Sequence, residues 1–160
     1  MADGRPGLRL ATLIYVRSEG RTLMVHRNRK PGDWHEGRHN GLGGKLEPGE
    51  SPEQCMQREL LEESGLTALT WRLNGMITFP TFDRSNDWYV FVYTVSSYSG
   101  SLLSDSPEGD LLWVPDGELQ DLNLWPGDRI FLPWLDRDGF FSARFMYDGP
   151  ELIDHTAVWY

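Results

Sequence analysis

The segment that most constrains the fold is a helix predicted for Ser51–Ser64, because the signals for both of its ends are present. Ser51 suits the N-cap, Pro52 suits the first helical position, and Gln54 completes a capping box. Gly65 then supplies the residue that ends many helices in a left-handed conformation. Such a helix needs a partner surface to pack against, so the rest of the chain must provide one.

Three glutamates of this helix share one face. At 100° per residue, Glu59, Glu62 and Glu63 fall within an arc of about 100°. Met56 and Leu60 lie beside that arc, where they can face a sheet. The carboxylates repel one another and stand near the negative end of the helix dipole. A solvated face is the commoner fate of such a helix; the alternative is a cation site, for which grouped oxygens favour Mg²⁺ or Mn²⁺.

The residues before the helix favour the cation site. Asn28–Gly44 contains a proline and five glycines and is predicted to be a loop. Gly43 and Gly44, at its end, allow the backbone to approach a ligand and to orient carbonyl oxygens. Arg58 is close enough in sequence to pair with Glu50, which would fix this loop against the helix.

The rest of the chain is predicted to contain strands and one further helix. Strands on both sides of the strong helix indicate an α/β fold, with a mixed sheet and helices packed on its faces. We expect one domain spanning residues 1–160, whose strand order does not follow from the pattern. The predicted strands are Arg9–Val16, Thr22–His26, Trp71–Phe79, Trp88–Ser96, Leu111–Val114, Phe140–Tyr147 and an edge strand at Leu152–Tyr160; Tyr98–Gly109 is a predicted loop and Ile130–Leu135 a predicted helix core.

Composition excludes several classes of partner. The net charge of −9 argues against duplex nucleic acid. Residues 1–45 carry nine Lys/Arg against four Asp/Glu, so a basic segment precedes an acidic one and could meet a polyphosphate. No apolar run approaches the ~20 residues that span a membrane. The start of the chain lacks a signal-like design, and Cys55 is the only cysteine, so we expect a reducing, cytoplasmic compartment.

Residues 44–66 resemble the Nudix box, G-x5-E-x7-R-E-U-x-E-E-x-G-U with U aliphatic, at every defined position. The resemblance implies an α/β/α sandwich and attack by water on a diphosphate linkage. It also implies that Glu59 and Glu63 bind metal ions, that Glu62 assists the metal site, and that the Gly43 carbonyl adds a ligand. The metal is expected to be Mg²⁺, for which Mn²⁺ can substitute.

The same resemblance gives Glu50 and Arg58 the task of orienting the box. Outside the box, Glu108 matches the position of a second-loop glutamate that binds metal or acts as a base in related proteins. Its alternative is an exposed loop acid. Arg27 is a candidate for contact with phosphates. Weaker candidates for the same contact are His26, Arg29 and Lys30; for the last two, a solvated basic loop is the favoured alternative.

The resemblance extends, from Ala11 to about Thr156, to the MutT-related oxidised-purine nucleoside triphosphatases. In that branch an asparagine before the glycines and a Trp-Pro-Asp-Asp run line the nucleobase pocket. Asn40, Trp125 and Asp128 match that pattern here, whereas Gly127 replaces the first aspartate. Thr12 stands where the first strand borders the pocket.

Each of these pocket residues has an ordinary structural alternative. Trp125 could be a core or helix-start residue, and Asp128 a charge in the first turn of a helix. Asn40 could serve a turn, since Asn-Gly is a common turn pair. Thr12 could be an unremarkable strand residue.

Three functions are compatible with the sequence. The leading one is a (d)NTP pyrophosphohydrolase that converts 8-oxo-dGTP to 8-oxo-dGMP and pyrophosphate, cleansing the nucleotide pool in support of DNA repair. The second is another Nudix specificity: broad NTP hydrolysis, dinucleoside polyphosphates, or ADP-ribose, which Pro80 weakly suggests. The third is a nucleotide-binding module without catalysis. We expect a small-molecule nucleotide as partner, no membrane, and a monomer or homodimer.

Overall fold

The computed structural model describes residues 4–29 and 31–160, so Lys30 lies outside the described residues. Within them the chain forms eight strands and two α-helices. The strands are β1 Gly7–Ser18, β2 Arg21–His26, β3 His39–Asn40, β4 Leu66–Phe79, β5 Asn86–Gly100, β6 Asp110–Pro115, β7 Phe141–Asp148 and β8 Glu151–Trp159. The helices are α1 Pro52–Ser64 and α2 Pro126–Phe131, with 3₁₀ helices at Asp116–Asp121 and Leu132–Asp136.

The strands form a mixed sheet in the order β3-β2-β1-β5-β4-β7-β8, and β6 pairs with β2 outside this path. The pairs β1–β5 and β4–β7 are parallel, and the other pairs are antiparallel. The prediction of a mixed sheet is therefore confirmed, as is the position of β8 at its edge.

Helices pack on both faces of this sheet. Met56 and Leu60 of α1 are fully buried in a cluster with Tyr93 of β5. On the opposite face, Phe131 of α2 is fully buried in a second cluster with Phe145 of β7. These two clusters give the α/β/α arrangement that the sequence predicts. No described helix has both the length and the apolar character needed to span a membrane.

The predicted caps of α1 are present. The Ser51 hydroxyl accepts from the Gln54 amide at 3.1 Å, and the Gln54 side chain accepts from the Ser51 amide at 2.9 Å. Gly65 follows the helix with φ +81°, a conformation that glycine adopts without strain. The ends of this helix therefore follow from local chemistry.

Several predicted boundaries differ from the structure; β4, for example, begins at Leu66 rather than at Trp71. The second helix begins at Pro126 rather than near Ile130, and it becomes 3₁₀ after Phe131. Pro133 lacks the amide hydrogen that a continuing α-helix requires, which explains this early end. The loop predicted from Tyr98 begins only after Gly100, because β5 stays paired with β4 up to that residue. The predicted loop Asn28–Gly44 also differs, because it contains the short strand β3.

The glycine-rich loop is partly ordered by the sheet. Asn40 belongs to β3 and pairs with Val25, so the turn alternative for this residue is wrong. Beyond it, the loop runs antiparallel beside β1: the Thr12 amide donates to the Gly44 carbonyl at 2.9 Å. A Cβ atom on Gly43 would lie 2.0 Å from the Thr12 carbonyl oxygen. Glycine at this position lets the loop backbone lie directly against β1.

Candidate active site

A cavity of about 690 Å³ lies between the glycine-rich loop, α1 and the aromatic residues that follow β4. Ten of the twelve residues that the sequence singles out as site residues line it. They are Thr12, Arg27, Asn40, Gly43, Arg58, Glu59, Glu63, Glu108, Trp125 and Asp128. The structure thus brings together residues that are separated by more than 100 positions in the sequence.

The two remaining residues, Glu50 and Glu62, stand outside the lining. The Glu50 carboxylate accepts from Nε and Nη2 of Arg58 at 2.7 and 2.9 Å. The Glu62 side chain is 58% exposed and its carboxylate lies 3.3 Å from Nη1 of Arg58. Both carboxylates therefore contact Arg58, which lines the cavity, without lining it themselves.

Arg58 links the loop to the helix face. Besides Glu50, its guanidinium donates to the Glu59 carboxylate at 2.8 Å and to the Lys45 carbonyl at 3.0 Å. The hydrogen bonds from Arg58, helped by the Glu47 amide, lower the pKa of Glu50 to about 2. The predicted Arg58–Glu50 pair is confirmed, and it also holds a carboxylate that faces the cavity.

Glu63 is the most buried carboxylate of the box, with 5% of its surface exposed. Its carboxylate accepts from the Gly43 amide at 2.8 Å. Burial raises the pKa of Glu63 to about 8, and the charges of Glu59 and Glu108 act in the same direction. The pKa of Glu59 is also raised, mainly by burial. A carboxylate in this setting gains much from a nearby cation.

The donor set suits a hard divalent cation. Carboxylates from α1 and from the loop before β6 face one cavity, and the loop backbone lies against the helix: a Cβ on Gly44 would be 2.5 Å from a Glu59 carboxylate oxygen. Among the described residues, no three His, Cys, Asp or Glu side chains form a ready metal-ligand set. Arginines instead neutralise two of the carboxylates, since Arg58 pairs with Glu59 and Arg27 lies 3.2 Å from Glu108.

Two polar side chains lie in the apolar part of the cavity. Asn40 is 7% exposed, and its side-chain oxygen has no hydrogen-bond partner among the described residues. Asp128, in the first turn of α2, is 8% exposed. Burial raises the pKa of Asp128 to about 7, against the opposing charge of Arg38. The start of a helix favours an ionised carboxylate and would lower its pKa. The raised pKa of Asp128 therefore reflects its burial rather than its place at the start of α2.

Trp125 precedes α2 as its N-cap residue and is 5% exposed. Its indole N–H donates to Nδ1 of His35 at 2.8 Å, and the Arg38 guanidinium lies 4.1 Å from its ring centre. The structural alternative, a core or helix-start residue, therefore describes the position of Trp125 correctly. Because Arg38 covers one face of the ring, only the rest of the indole borders the cavity.

The candidates on β1 and β2 differ in their surroundings. Arg27 follows β2 and pairs with Asp33 at 2.8 Å, while its guanidinium also reaches Glu108. Thr12 is 4% exposed and lies on β1 beside the glycine-rich loop. The weaker candidates are outside the lining: Arg29 pairs with Asp105 and Asp110, and His26 stacks on His39 with ring centres 4.4 Å apart.

Five residues of the cavity that carry aromatic rings were missed by the reasoning from sequence. They are His35, Phe79, Phe82, Trp88 and Tyr147. Nothing in the local sequence of the last four separates them from core aromatics, and the fold alone brings the turn after β4 next to β7. His35 carried a signal, since it is a histidine in a glycine-rich loop already assigned to a site. Burial lowers its pKa to about 4, so the ring is neutral and accepts from Trp125.

A family model and two curated relatives match most of this chain. The model of the NUDIX domain matches residues 7–135. The chain is 32% identical over 145 residues to a zebrafish (Danio rerio) protein named oxidized purine nucleoside triphosphate hydrolase, covering 91% of this chain and 90% of that one. It is 30% identical over 144 residues to an uncharacterized Nudix hydrolase of Bacillus subtilis, covering 88% and 87%.

A solved structure shares the same fold. The mutator MutT protein of Bacillus halodurans superposes with a TM-score of 0.83 at 28% identity, and the alignment covers 93% of this chain and 97% of that one. The match to the family model spans α1, the glycine-rich loop and the residues around Trp125 and Asp128. The chain therefore belongs to the Nudix family and is a hydrolase.

Proposed function

We propose that this chain is a Mg²⁺-dependent pyrophosphohydrolase that converts 8-oxo-dGTP to 8-oxo-dGMP and pyrophosphate, and so cleanses the nucleotide pool. The observation that carries the proposal is one cavity with two chemically different ends. Carboxylates, with the buried Glu63 among them, lie at one end, and the buried Asn40 and Asp128 lie at the other, which Phe82, Trp125 and Tyr147 also line. A nucleoside triphosphate has the same two parts.

The phosphate end is proposed to hold the metal. Glu59, Glu63 and Glu108, with the Gly43 carbonyl, are the oxygen ligands available there. Nudix hydrolases generally use a divalent cation, and such a cation neutralises phosphate oxygens and activates water. Glu59 and Glu108 would exchange an arginine partner for the cation. Arg58 and Arg27 would then be available to the phosphates.

Glu50 and Glu62 have supporting roles in this proposal. Glu50 keeps Arg58 in place through two hydrogen bonds, and Glu62 adds negative charge at the exposed side of the helix face. Together they bias Arg58 and the glycine-rich loop toward one arrangement. That arrangement presents Glu59 and Glu63 on the cavity side of α1.

The base end supports an oxidised purine. Oxidation of guanine at C8 turns the N7 acceptor into an N–H donor and adds a carbonyl oxygen. Asp128, with its pKa raised to about 7, can accept from such an N–H when ionised or donate when protonated. Asn40 offers both a donor and an acceptor, and its oxygen lacks a protein partner among the described residues. Trp125 and Thr12 would border the bound base.

Further parts of the proposal rest on general features of the chain. The domain is proposed to span residues 1–160, and a buried single cysteine, Cys55, fits a reducing cytoplasm. No observation favours ADP-ribose, since Pro80 does not line the cavity. The relative named as an oxidized purine nucleoside triphosphate hydrolase, at 32% identity, supports the triphosphate assignment.

A panel of nucleotides tests the proposal. Turnover of 8-oxo-dGTP, dGTP, UTP, a dinucleoside polyphosphate and ADP-ribose would be measured with Mg²⁺, with Mn²⁺ and with chelator. We expect metal-dependent release of pyrophosphate and the highest kcat/KM for 8-oxo-dGTP. Equal rates on 8-oxo-dGTP, dGTP and UTP would refute the sanitising role, and release of AMP and ribose phosphate from ADP-ribose without pyrophosphate would favour the other specificity.

A further inference from the structure

The position that departs from the related triphosphatases is filled by another residue. Gly127 stands where those proteins carry the first aspartate of the Trp-Pro-Asp-Asp run. Its amide donates to the Tyr147 hydroxyl at 2.7 Å. A Cβ atom on Gly127 would lie 2.6 Å from that same hydroxyl oxygen, its nearest neighbour, and 2.9 Å from Cδ1 of Phe145. The Tyr147 hydroxyl therefore occupies the space in which a side chain at position 127 would begin.

The hydroxyl of Tyr147 has a proton to give. An amide N–H can only donate, so the Tyr147 oxygen is the acceptor in its bond with Gly127. The hydroxyl proton has no hydrogen-bond acceptor in the part of the chain that the structure describes, and the residue is 8% exposed. Burial, and then the charge of Asp128, raise the pKa of Tyr147, so the group stays neutral and protonated.

Aromatic contacts fix the ring that carries this hydroxyl. The ring of Tyr147 meets Trp125 edge-on, with centres 5.6 Å apart, and Phe82 edge-on at 5.3 Å. Both neighbours belong to the aromatic part of the cavity, and Tyr147 lines it too. These contacts hold the hydroxyl at the amide of Gly127, the residue that precedes Asp128 in the chain.

We propose that the Tyr147 hydroxyl replaces the missing carboxylate at position 127 and donates a hydrogen bond to a carbonyl oxygen of the bound purine. This inference rests on the proposed function, because it requires a base at this end of the cavity. It assigns opposite tasks to two neighbours: Tyr147 donates, and Asp128, when ionised, accepts. A phenol keeps its proton, and so remains a donor, throughout the neutral pH range. An ordinary carboxyl group loses its proton well below neutral pH and can then only accept.

The first experiment compares Tyr147→Phe with Tyr98→Phe, a matched loss of a hydroxyl outside the cavity. Steady-state kinetics would use 8-oxo-dGTP and dGTP, whose bases carry carbonyls, and dATP, whose base carries none. We expect Tyr147→Phe to raise KM about 3- to 10-fold for the two oxopurines, as for loss of one neutral hydrogen bond. KM for dATP and kcat for all three should change less than about 2-fold, and Tyr98→Phe should match the wild type.

A second variant tests the replacement itself. Gly127→Asp should lower the melting temperature in the wild-type background, because its Cβ atom would meet the Tyr147 oxygen at 2.6 Å and the Phe145 ring at 2.9 Å; Tyr147→Phe relieves only the first of these contacts. The same substitution combined with Tyr147→Phe should lower it less than the sum of the two single effects. The double variant should also regain affinity for 8-oxo-dGMP that Tyr147→Phe alone loses, measured by quenching of tryptophan fluorescence.

The results separate the inference from the function beneath it. Equal loss on oxopurines and dATP, or no loss at all, would overturn the role of Tyr147 while wild-type turnover of 8-oxo-dGTP leaves the hydrolase assignment standing. Additive melting shifts in the double variant would also overturn the replacement. Failure of the wild type itself to bind or cleave any purine triphosphate would instead refute the proposed function, and the Tyr147 inference with it.

Discussion

The Arg58 guanidinium holds both carboxylate oxygens of Glu50, through Nε at 2.7 Å and through Nη2 at 2.9 Å. Such a two-point contact fixes the orientation of the guanidinium as well as its position. The remaining N–H groups of Arg58 then donate to Glu59 and to the Lys45 carbonyl. One side chain thus sets the loop, the helix and a cavity carboxylate relative to each other.

Replacing Arg58 with lysine should separate charge from geometry. Lysine keeps the positive charge but cannot make the two-point contact. We expect Arg58→Lys to reduce kcat about 10- to 100-fold, as for the loss of residues that orient metal ligands. Arg144→Lys, at an exposed pair with Asp154 on the far strands, is the matched control and should leave turnover unchanged. Unaltered kcat in Arg58→Lys would show that charge alone is sufficient.

The carboxylates on the cavity side of α1 should control both metal binding and turnover. We predict that Glu59→Gln and Glu63→Gln each reduce the rate at least ~100-fold, because each removes a proposed metal ligand. Isothermal titration with Mg²⁺ or Mn²⁺ should show weaker binding in both variants. Glu118→Gln, an exposed acid on the 3₁₀ helix after β6, is the control. Wild-type turnover in both cavity variants would contradict the metal assignment.

A methyl group on Gly44 should displace a carboxylate without unfolding the protein. Its Cβ would meet the Glu59 carboxylate at 2.5 Å, the end of a flexible side chain that can move away. We therefore expect Gly44→Ala to lower the melting temperature only slightly but to reduce turnover ~10-fold or more. Gly117→Ala, whose Cβ has no neighbour within 4 Å, controls for the substitution itself. A large drop in melting temperature for Gly44→Ala, with turnover per folded molecule retained, would contradict this reasoning.

The sequence predicted the elements whose signals are local. The caps of α1 and the Arg58–Glu50 pair lie within a few turns of chain, so neighbouring residues were sufficient to predict them. The face shared by Glu59 and Glu63 follows from helical periodicity alone.

The strand pairings between distant segments could not be predicted from the sequence. The parallel pairs β1–β5 and β4–β7 join segments far apart in the chain, and no local signal in the sequence indicates them. The end of α2 at Phe131 could have been predicted, because the signal from Pro133 was present in the sequence. The pairing of the glycine-rich loop with β1 could not, since glycines carry no strand pattern.

Asp128 should make the protein less stable as the pH rises. Its ordinary pKa of 3.8 becomes about 7 in the folded state because burial disfavours the charge. Between these values the folded chain keeps a proton that the unfolded chain has released. The free energy of unfolding therefore falls as the pH rises from about 4 to 7, by up to about 4 kcal/mol from this group.

Asp128→Asn removes that buried charge while nearly preserving the shape of the side chain. Urea unfolding should show the variant to be more stable than the wild type at pH 8, with the difference shrinking toward pH 4. Affinity for 8-oxo-dGMP should fall in the variant at the same time, since the group is kept for binding rather than for stability. Asp138→Asn, at an exposed carboxylate, should show no such pH-dependent gain. A stability difference for Asp128→Asn that stays constant from pH 4 to 8 would mean that the carboxyl group does not titrate with a raised pKa in the folded protein.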